Sequence, residues 1–98
     1  MATYFVVNAS ITDPDLLVEY SKATRPSIQK YGAKVLAVTN EAEALEGTPI
    51  GPRVVILEFA DRSAFDTWYN SPEYQDVIGM RFAATSGTGL VVEGRQPC

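Results

Sequence analysis

The strongest strand signal in the chain is Arg53-Val54-Val55-Ile56-Leu57-Glu58-Phe59. Its residues are mostly β-branched or aromatic, and after Arg53 they are apolar at both phases of the alternation except at Glu58. A half-exposed strand would alternate polar and apolar residues, so this run predicts a strand that is covered on both faces. The preceding stretch, residues 47–52, holds two glycines and two prolines and predicts a loop.

Three more strands are predicted around this one. The first is apolar at both phases apart from Asn8 and Ser10. The acidic stretch 41–46 extends the second strand or returns beside it as an exposed ribbon. The glycines of residues 86–89 predict a turn before the last strand. The predicted strands are residues 3–11, 33–39, 53–59 and 90–93.

Two helical regions separate the strands. Asp13 suits the N-cap of the first helix, Pro14 suits its first position, and Gly32 is placed to end it in a left-handed cap. The second region is interrupted and restarts with Ser71 as N-cap and Pro72 at the first position. Its second segment has an apolar stripe at helical spacing that consists of Tyr74, Val77, Ile78, Arg81 and Phe82.

The predicted order of elements is β-α-β-β-α-β, with the second helical region interrupted. This is the ferredoxin-like arrangement of the α+β class, an antiparallel sheet with the helices on one face. Helices on one face would leave the other face polar, yet most of the predicted strands are apolar on both. A second copy packing sheet against sheet is the simplest cover, so we expect a homodimer that forms a dimeric α/β barrel. The domain is predicted to span residues 1–94, followed by a polar tail at residues 95–98.

Composition limits the classes of function. The 98 residues are 46% apolar with a net charge of −4, and the pI is near 4.6, which indicates one small soluble domain. No run of lysine or arginine provides the positive surface that nucleic acids or anionic membranes require. No apolar stretch approaches the ~20 residues of a membrane span, and no export signal is recognisable. The only cysteine, Cys98, has no partner for an internal disulfide, so we expect a cytoplasmic protein.

The chain contains no histidine. Ser-His-Asp triads, Cys-His pairs, histidine-ligated haem and the common zinc sites are therefore excluded. Glu41, Glu43 and Glu46 lack the Asp-rich loop of a calcium site and indicate a solvated face. We expect neither a metal nor a cofactor, and any acid–base chemistry has to use carboxylates, tyrosines or lysines.

Arg81 is the most informative residue, because it occupies a stripe position where an aliphatic side chain is expected. An arginine turned towards a core needs an anionic partner. One interpretation is an internal ion pair with Glu58, which also stands at an apolar position. The other is a guanidinium fork for the carboxylate or enolate oxygen of a small substrate. Asn8 likewise either orients a ligand or satisfies a neighbouring backbone group.

Aromatic residues with polar tips cluster near Arg81 in the sequence. Trp68, Tyr69 and Tyr74 surround the break in the second helical region, where they either line a cavity or fill the core. Tyr20 and Tyr31 are predicted to face the sheet from the first helix. Each of these two is either a proton donor beside Arg81 or an ordinary packing residue.

The segment Trp68-Tyr69-x-Ser71-Pro72-x-Tyr74, followed seven residues later by Arg81, is the most specific motif in the chain. With it, residues 3–94 resemble the bacterial family known as domain of unknown function 1330. The other matching positions are Tyr20, Tyr31-Gly32, Leu45-Glu46-Gly47, the strand at residues 53–59, and Val92-Glu93-Gly94.

That family is assigned to the dimeric α/β-barrel superfamily, so the resemblance implies a ferredoxin-like subunit with paired sheets. The superfamily includes small monooxygenases, haem-degrading enzymes, chlorite dismutases and muconolactone isomerases, with pockets commonly between the helices and the sheet. Its haem members use histidine, so haem is not implied for this chain.

Three functions follow as hypotheses. The first is a cofactor-independent enzyme, monooxygenase- or isomerase-like, acting on a small anionic or aromatic molecule, with Arg81 stabilising the anion and Tyr74 or Tyr20 donating a proton. The second is a non-catalytic module that binds or senses a small molecule. The third is a structural or interaction protein in which Arg81 only pairs with Glu58. The candidate ligand contacts are Asn8, Tyr20, Glu58, Trp68 and Tyr69.

Overall fold

The computed structural model describes residues 1–95, and it has a four-stranded antiparallel sheet with three helices against one of its faces. The order of strands across the sheet is β2-β3-β1-β4. This confirms the α+β, ferredoxin-like prediction. The predicted role of Cys98 and most of the tail at residues 95–98 lie outside the described residues. The elements are β1 (Thr3–Ile11), α1 (Pro14–Lys30), β2 (Lys34–Thr39), β3 (Arg53–Phe59), α2 (Arg62–Tyr69), α3 (Pro72–Ala84) and β4 (Thr85–Glu93).

The core lies between the helices and the inner face of the sheet. Along β1, buried and half-buried residues alternate, as expected where successive side chains point to opposite faces. Phe5 and Val7 point inwards with Leu57 and Phe59 of β3, and the helices cover them with Leu17, Phe65, Trp68 and Ile78. Among residues 1–95, no helix combines the length and the apolar character that crossing a membrane demands.

The predicted helix starts are confirmed by their caps. The side chain of Asp13 accepts a hydrogen bond from the backbone nitrogen of Leu16 at 3.1 Å, and Ser71 accepts one from that of Tyr74 at 3.1 Å. These bonds satisfy backbone donors that the first turn of a helix leaves free. Gly32 has a φ of 73°, the left-handed conformation predicted for the end of α1.

Three sequence expectations were wrong. Residues 86–89 are not a turn but part of β4, which pairs with β1 along its whole length. Their glycines serve close packing, because a Cβ at Gly87 would lie 2.2 Å from the backbone oxygen of Asn8. Residues 41–46 form no strand. Phe82 is 62% exposed, since the buried side of α3 continues through Ala84 instead.

Gly89 makes room for the core on the inner face of β4. A Cβ at this position would lie 2.9 Å from the ring of Phe5, whereas one at Gly79 in α3 would meet nothing within 4 Å. We therefore expect Gly89→Ala to destabilise the protein by about 1–3 kcal/mol through overpacking. Gly79→Ala is the matched control and should stabilise it by up to about 1 kcal/mol, because alanine favours the helix. Urea denaturation measures both, and equal effects would contradict this packing.

An ion pair joins α1 to α3. Lys30 pairs with Glu73, and the hydroxyl of Tyr31 donates to the same carboxylate at 3.1 Å. The hydrogen bond from Lys30, assisted by a backbone hydrogen bond and by Tyr31, lowers the pKa of Glu73 below its ordinary value.

This shift predicts a pH dependence of stability. Because the pKa of Glu73 is lower in the folded state, its contribution is complete above the unfolded value of 4.5 and is lost as the pH falls through the lowered value. Below pH 4.5, the free energy of unfolding of wild type should therefore fall more steeply than that of Glu73→Gln. Urea titrations across that range test this, and parallel curves would contradict it.

The other side of the sheet, here called the outer face, is apolar at its centre. The register places Ile56, Val6 and Leu90 side by side across three strands, with Tyr4 and Val92 in the next row. Leu90 is 58% and Val92 46% exposed. Exposed apolar rows of this kind are common at interaction surfaces of proteins.

Candidate functional site

A cavity of about 360 Å³ lies between α1 and the inner face of the sheet. Its walls come from α1, the three strands β1, β2 and β3, and single side chains of α2 and α3. The volume is within the range of small-molecule sites. The lining residues are Phe5, Val7, Tyr20, Ser21, Thr24, Arg25, Ile28, Val35, Val38, Arg53, Val55, Leu57, Trp68 and Arg81.

Arg81 reaches this cavity from α3, and its environment is incompletely satisfied. Its Nε is buried without a hydrogen-bond partner. The guanidinium carbon lies 5.5 Å from the ring centroid of Phe5 and 5.1 Å from that of Phe82. Cation–π contacts of this kind stabilise a guanidinium by about 0.5–1 kcal/mol, less than a charged hydrogen bond does. Arg81 therefore retains donors for an anionic group in the cavity.

The pair of Arg81 with Glu58, one of the two interpretations of the sequence, is not formed. Glu58 pairs with Tyr4 across the two strands, and its side chain points to the outer face of the sheet. Arg81 lies on the opposite side of the sheet, among the helices. The carboxylate of Glu58 is instead 3.8 Å from the ammonium group of Lys34. Because successive residues of a strand point to opposite faces, the sheet itself separates the two side chains.

Arg53 is a cavity residue that the sequence analysis missed. It shares the inner phase of β3 with Leu57 and Phe59 and is only 8% exposed. Its Nη1 donates to the side-chain oxygen of Asn40 at 2.7 Å. Burial lowers the pKa of Arg53 below its ordinary value, and the electrostatic effect of Tyr20 partly opposes this shift. The signal was available in the sequence, because alternation places an arginine in phase with three apolar residues.

The hydroxyl groups of Tyr20 and Tyr74 form a hydrogen bond of 2.8 Å. Tyr20 lines the cavity, whereas Tyr74 lies behind it and is fully buried. Burial raises the pKa of the Tyr74 phenol above its ordinary value, Tyr20 adds to the rise, and Arg81 opposes it. Tyr74 is therefore a neutral phenol at physiological pH, which suits a proton donor or relay and not a base.

Trp68 closes the floor of the cavity. Its ring lies 4.0 Å from that of Tyr74 between centroids, and its Nε1 donates to the hydroxyl of Ser27 at 3.1 Å. The Thr24 hydroxyl, on the same helix as Ser27 and on the cavity wall, is buried without a partner. Trp68 is therefore held on both sides, and it is a rigid part of the core beneath the cavity.

The remaining candidates lie elsewhere. Asn8 is on the outer face, where its side chain donates to the backbone oxygens of Gly51 and Arg53 and accepts from Ile50. The backbone alternative for Asn8 is therefore the one observed. Tyr69 packs in the aromatic cluster with Phe65 and does not line the cavity. Tyr31 donates to Glu73.

The charge of the cavity is entirely positive. Arg25, Arg53 and Arg81 line it, and no aspartate or glutamate does. Within residues 1–95, the ion pairs involve other cations, namely Lys30, Lys34 and Arg62. No set of three or more potential metal-ligating side chains gathers within that range. An apolar cavity with unpaired guanidinium groups can hold an organic anion.

The model of a family described as Domain of unknown function (DUF1330) matches residues 2–95. Among curated proteins, no significant match to the chain is found.

Several solved structures share the fold. A dimeric ferredoxin-like protein of unknown function from Jannaschia sp. CCS1 has a TM-score of 0.78 at 18% identity, covering 98% of this chain and 100% of that one. A protein of unknown function from Rhodopseudomonas palustris has a TM-score of 0.76 at 18% identity, covering 98% and 84%. SnoaB from Streptomyces nogalater, a cofactor-independent oxygenase, has a TM-score of 0.70 at 15% identity, covering 98% and 95%. Likeness at such identities concerns the fold alone.

Proposed function

The chain belongs to the DUF1330 family, domains of unknown function, and we propose that it binds a small organic anion with an apolar ring in the helix–sheet cavity and acts on it without a cofactor. The observation that carries this proposal is the guanidinium group of Arg81, which lines a cavity without acidic residues and has no carboxylate partner in the described part of the chain. A buried cationic donor without a partner costs free energy unless an anion satisfies it.

The proposal gives each cavity residue a role. The guanidinium of Arg81 binds the carboxylate, phenolate or enolate oxygen. Tyr20 contacts the ligand with its hydroxyl and exchanges a proton there. Tyr74 is a positioning residue whose hydroxyl holds that of Tyr20, since it lies behind Tyr20. Val35 and Val38, which line the cavity and are exposed, supply an apolar wall for the ring.

The chemistry follows from the groups that line the cavity. The lining residues include no carboxylate and no lysine, and the chain has no histidine, so they supply no general base. The substrate is then one that ionises readily, such as an acidic phenol or enol, whose anion Arg81 stabilises. An anion of this type either reacts with dioxygen as the oxidant or takes up a proton at another of its carbon atoms, which completes an isomerisation. Likeness of fold to a cofactor-independent oxygenase supports the first of these reactions.

Native mass spectrometry of the purified protein tests the binding step. We expect wild type to carry an extra mass below about 500 Da that is lost under denaturing conditions, as suits a cavity of this size. Arg81→Met should lack that mass. The proposal fails if the variant retains the same mass in the same amount. It also fails if wild type carries none and does not bind biphenyl-4-carboxylate in a titration followed by the fluorescence of Trp68, the only tryptophan.

Incubation of the identified compound with the protein separates an enzyme from a binding module. A compound that returns with an altered mass or altered proton positions, under air and with wild type only, shows catalysis. Tyr20→Phe should slow that change without abolishing binding, because it removes the hydroxyl and keeps the ring. An unaltered compound would leave a non-catalytic binding or sensing module as the function.

We also propose that the outer face pairs with that of a second copy to form a homodimer. The contiguous row of Ile56, Val6 and Leu90 supports this, since it offers an apolar centre of the kind found in homodimer interfaces. The Jannaschia protein, which has the same fold, is dimeric.

Leu90→Glu should convert the dimer to a monomer without loss of fold. Its side chain is 58% exposed in the single chain, so the charge disturbs only a partner. Light scattering after size exclusion measures the mass, and circular dichroism checks the fold. Val18→Glu on α1, at a position 51% exposed, is the control and should stay dimeric. A monomeric wild type or a dimeric Leu90→Glu would overturn the interface.

A further inference from the structure

A second hollow of about 280 Å³ adjoins the cavity at one end of α1. The two hollows share Ser21, Arg25 and Arg53, so they lie side by side. Lys22 and Asn40 complete the polar part of the second hollow. We call this end the mouth and define it by the cations Lys22, Arg25 and Arg53.

The mouth concentrates positive charge in an acidic protein. The whole chain has 8 lysines and arginines and a net charge of −4, yet three of those cations meet here. No aspartate or glutamate lines either hollow. Like charges gathered without counter-ions repel one another, so the arrangement disfavours the protein alone and favours a bound anion.

Arg53 is the fixed member of this group. It is only 8% exposed and has no carboxylate partner in the described part of the chain. Asn40 holds its Nη1 in place but contributes no charge. A guanidinium fixed in this way is ready to bind an oxyanion with little loss of conformational entropy.

The mouth and Arg81 lie at different ends of the cavity. Arg53 pairs with Ala9, while Arg81 approaches Gly89, which pairs with Val7 on the other side of β1. Strand spacing and rise put the Cα atoms of Arg53 and Gly89 about 12 Å apart. Asn40 lies after β2 and draws the guanidinium of Arg53 further from Arg81. Two acidic groups on one ligand fit this arrangement better than a single carboxylate.

We propose that the mouth is a second oxyanion subsite, so that the ligand is an elongated dianion. One acidic group binds at Arg81, an apolar ring system lies along the valines of the cavity wall, and a carboxylate or phosphate at the far end binds to Arg53, Arg25 and Lys22. This inference rests on the proposed function of the cavity and specifies its class of ligand. It makes the mouth the determinant of specificity for a second charge.

Calorimetric titration with matched probes tests the subsite. Biphenyl-4-carboxylate and biphenyl-4,4′-dicarboxylate share a ring system and differ in one charge, and benzoate and terephthalate form a shorter pair. At low ionic strength, wild type should bind the biphenyl dianion about 10-fold more tightly than the monoanion, the effect of one added charged contact. The shorter dianion should gain less than about twofold, because it does not span the cavity.

Variants locate the effect. Lys22 and Arg25 are exposed, so Lys22→Gln with Arg25→Gln should fold normally and reduce the dianion preference to about twofold, while the monoanion loses affinity only as far as the lower positive charge of the cavity weakens it. The matched control is Lys34→Gln with Arg62→Gln, which removes the same charge at pairs away from the cavity and should keep the full preference. Biphenyl-4-carboxylate bearing a 4′-phosphonate distinguishes a phosphate from a carboxylate at the mouth.

The outcomes separate the two proposals. If the monoanion binds, and does so through Arg81, but the dianion binds no better, the subsite is overturned and the proposed function stands. If the control variant loses the preference as much as the mouth variant does, general charge explains it and the subsite is overturned. If no probe binds to wild type, the proposed function fails and the subsite fails with it.

Discussion

Arg81→Met will lower the affinity for biphenyl-4-carboxylate by about 10–100-fold, the value of a hydrogen bond to a charged group. Stability should stay within about 1 kcal/mol of wild type. The variant loses the stabilising cation–π contact with Phe5. It also loses a buried Nε that has no hydrogen-bond partner and destabilises the wild type, so the two changes in the free energy of unfolding oppose each other. Methionine keeps much of the length of the side chain, so the packing on Phe5 persists.

The separation of affinity from stability is the informative result. Titration followed by Trp68 fluorescence gives the affinity, and urea denaturation gives the free energy of unfolding. Arg62→Met is the control, since Arg62 pairs with Asp66 and lies over the Phe65 ring on α2, away from the cavity, and it should change neither quantity by a large amount. Unchanged probe affinity in Arg81→Met would show that its guanidinium is not a ligand contact. A large loss of stability would mean that it is structural.

Trp68→Ala should destabilise the protein by about 3–5 kcal/mol, the cost of emptying a large aromatic site in a core. Trp68 is 1% exposed and lies against Phe5, Phe59, Phe65 and Tyr74. Its hydrogen bond to Ser27 also ties α2 to α1. Since domains of this size are stable by only about 5–15 kcal/mol, the variant will have little stability left. Circular dichroism in urea is the measurement, because the variant has no tryptophan to report unfolding.

Trp68→Phe is the matched control for this loss. Phenylalanine keeps an aromatic ring in the cluster but gives up the Nε1 hydrogen bond and part of the volume, so we expect a smaller loss of about 1–2 kcal/mol. The probe should still bind to this variant at concentrations where it remains folded. A cost below about 1 kcal/mol for Trp68→Ala would contradict the close packing of this cluster.

Local chemistry made much of the fold predictable. Asp13 and Ser71 were recognisable as N-caps, because a short side-chain oxygen can accept from the first-turn N–H groups and the proline that follows suits the first helical position. The apolar run of β3 and the two phases of β1 indicated a sheet covered on both sides. The glycines of β4 misled the prediction, since glycine favours turns locally but here lets Phe5 and Ala9 pack closely from another strand. Phe82 misled it because periodicity alone does not mark which edge of a stripe is buried.

The candidate site was predicted in part for the same reason. Arg81, Tyr20 and Trp68 do line one cavity, and each was recognisable as a polar or aromatic residue at a core-facing helical position. Glu58 was assigned to that site although strand alternation placed it on the other face. Arg53 was overlooked although the same alternation placed it inside. Both errors came from treating β3 as a uniformly apolar run and not following its phase.

The sequence by itself determined the order of elements, their caps, the absence of histidine chemistry and the presence of an arginine on a buried stripe. These depend on interactions among residues a few positions apart or on composition. Only the tertiary structure decided that Arg53 and Arg81 share a cavity while Glu58 lies across the sheet from it. That outcome depends on strand order and register, which arise from contacts between segments far apart in the chain, and those contacts leave no local pattern in the residues that make them.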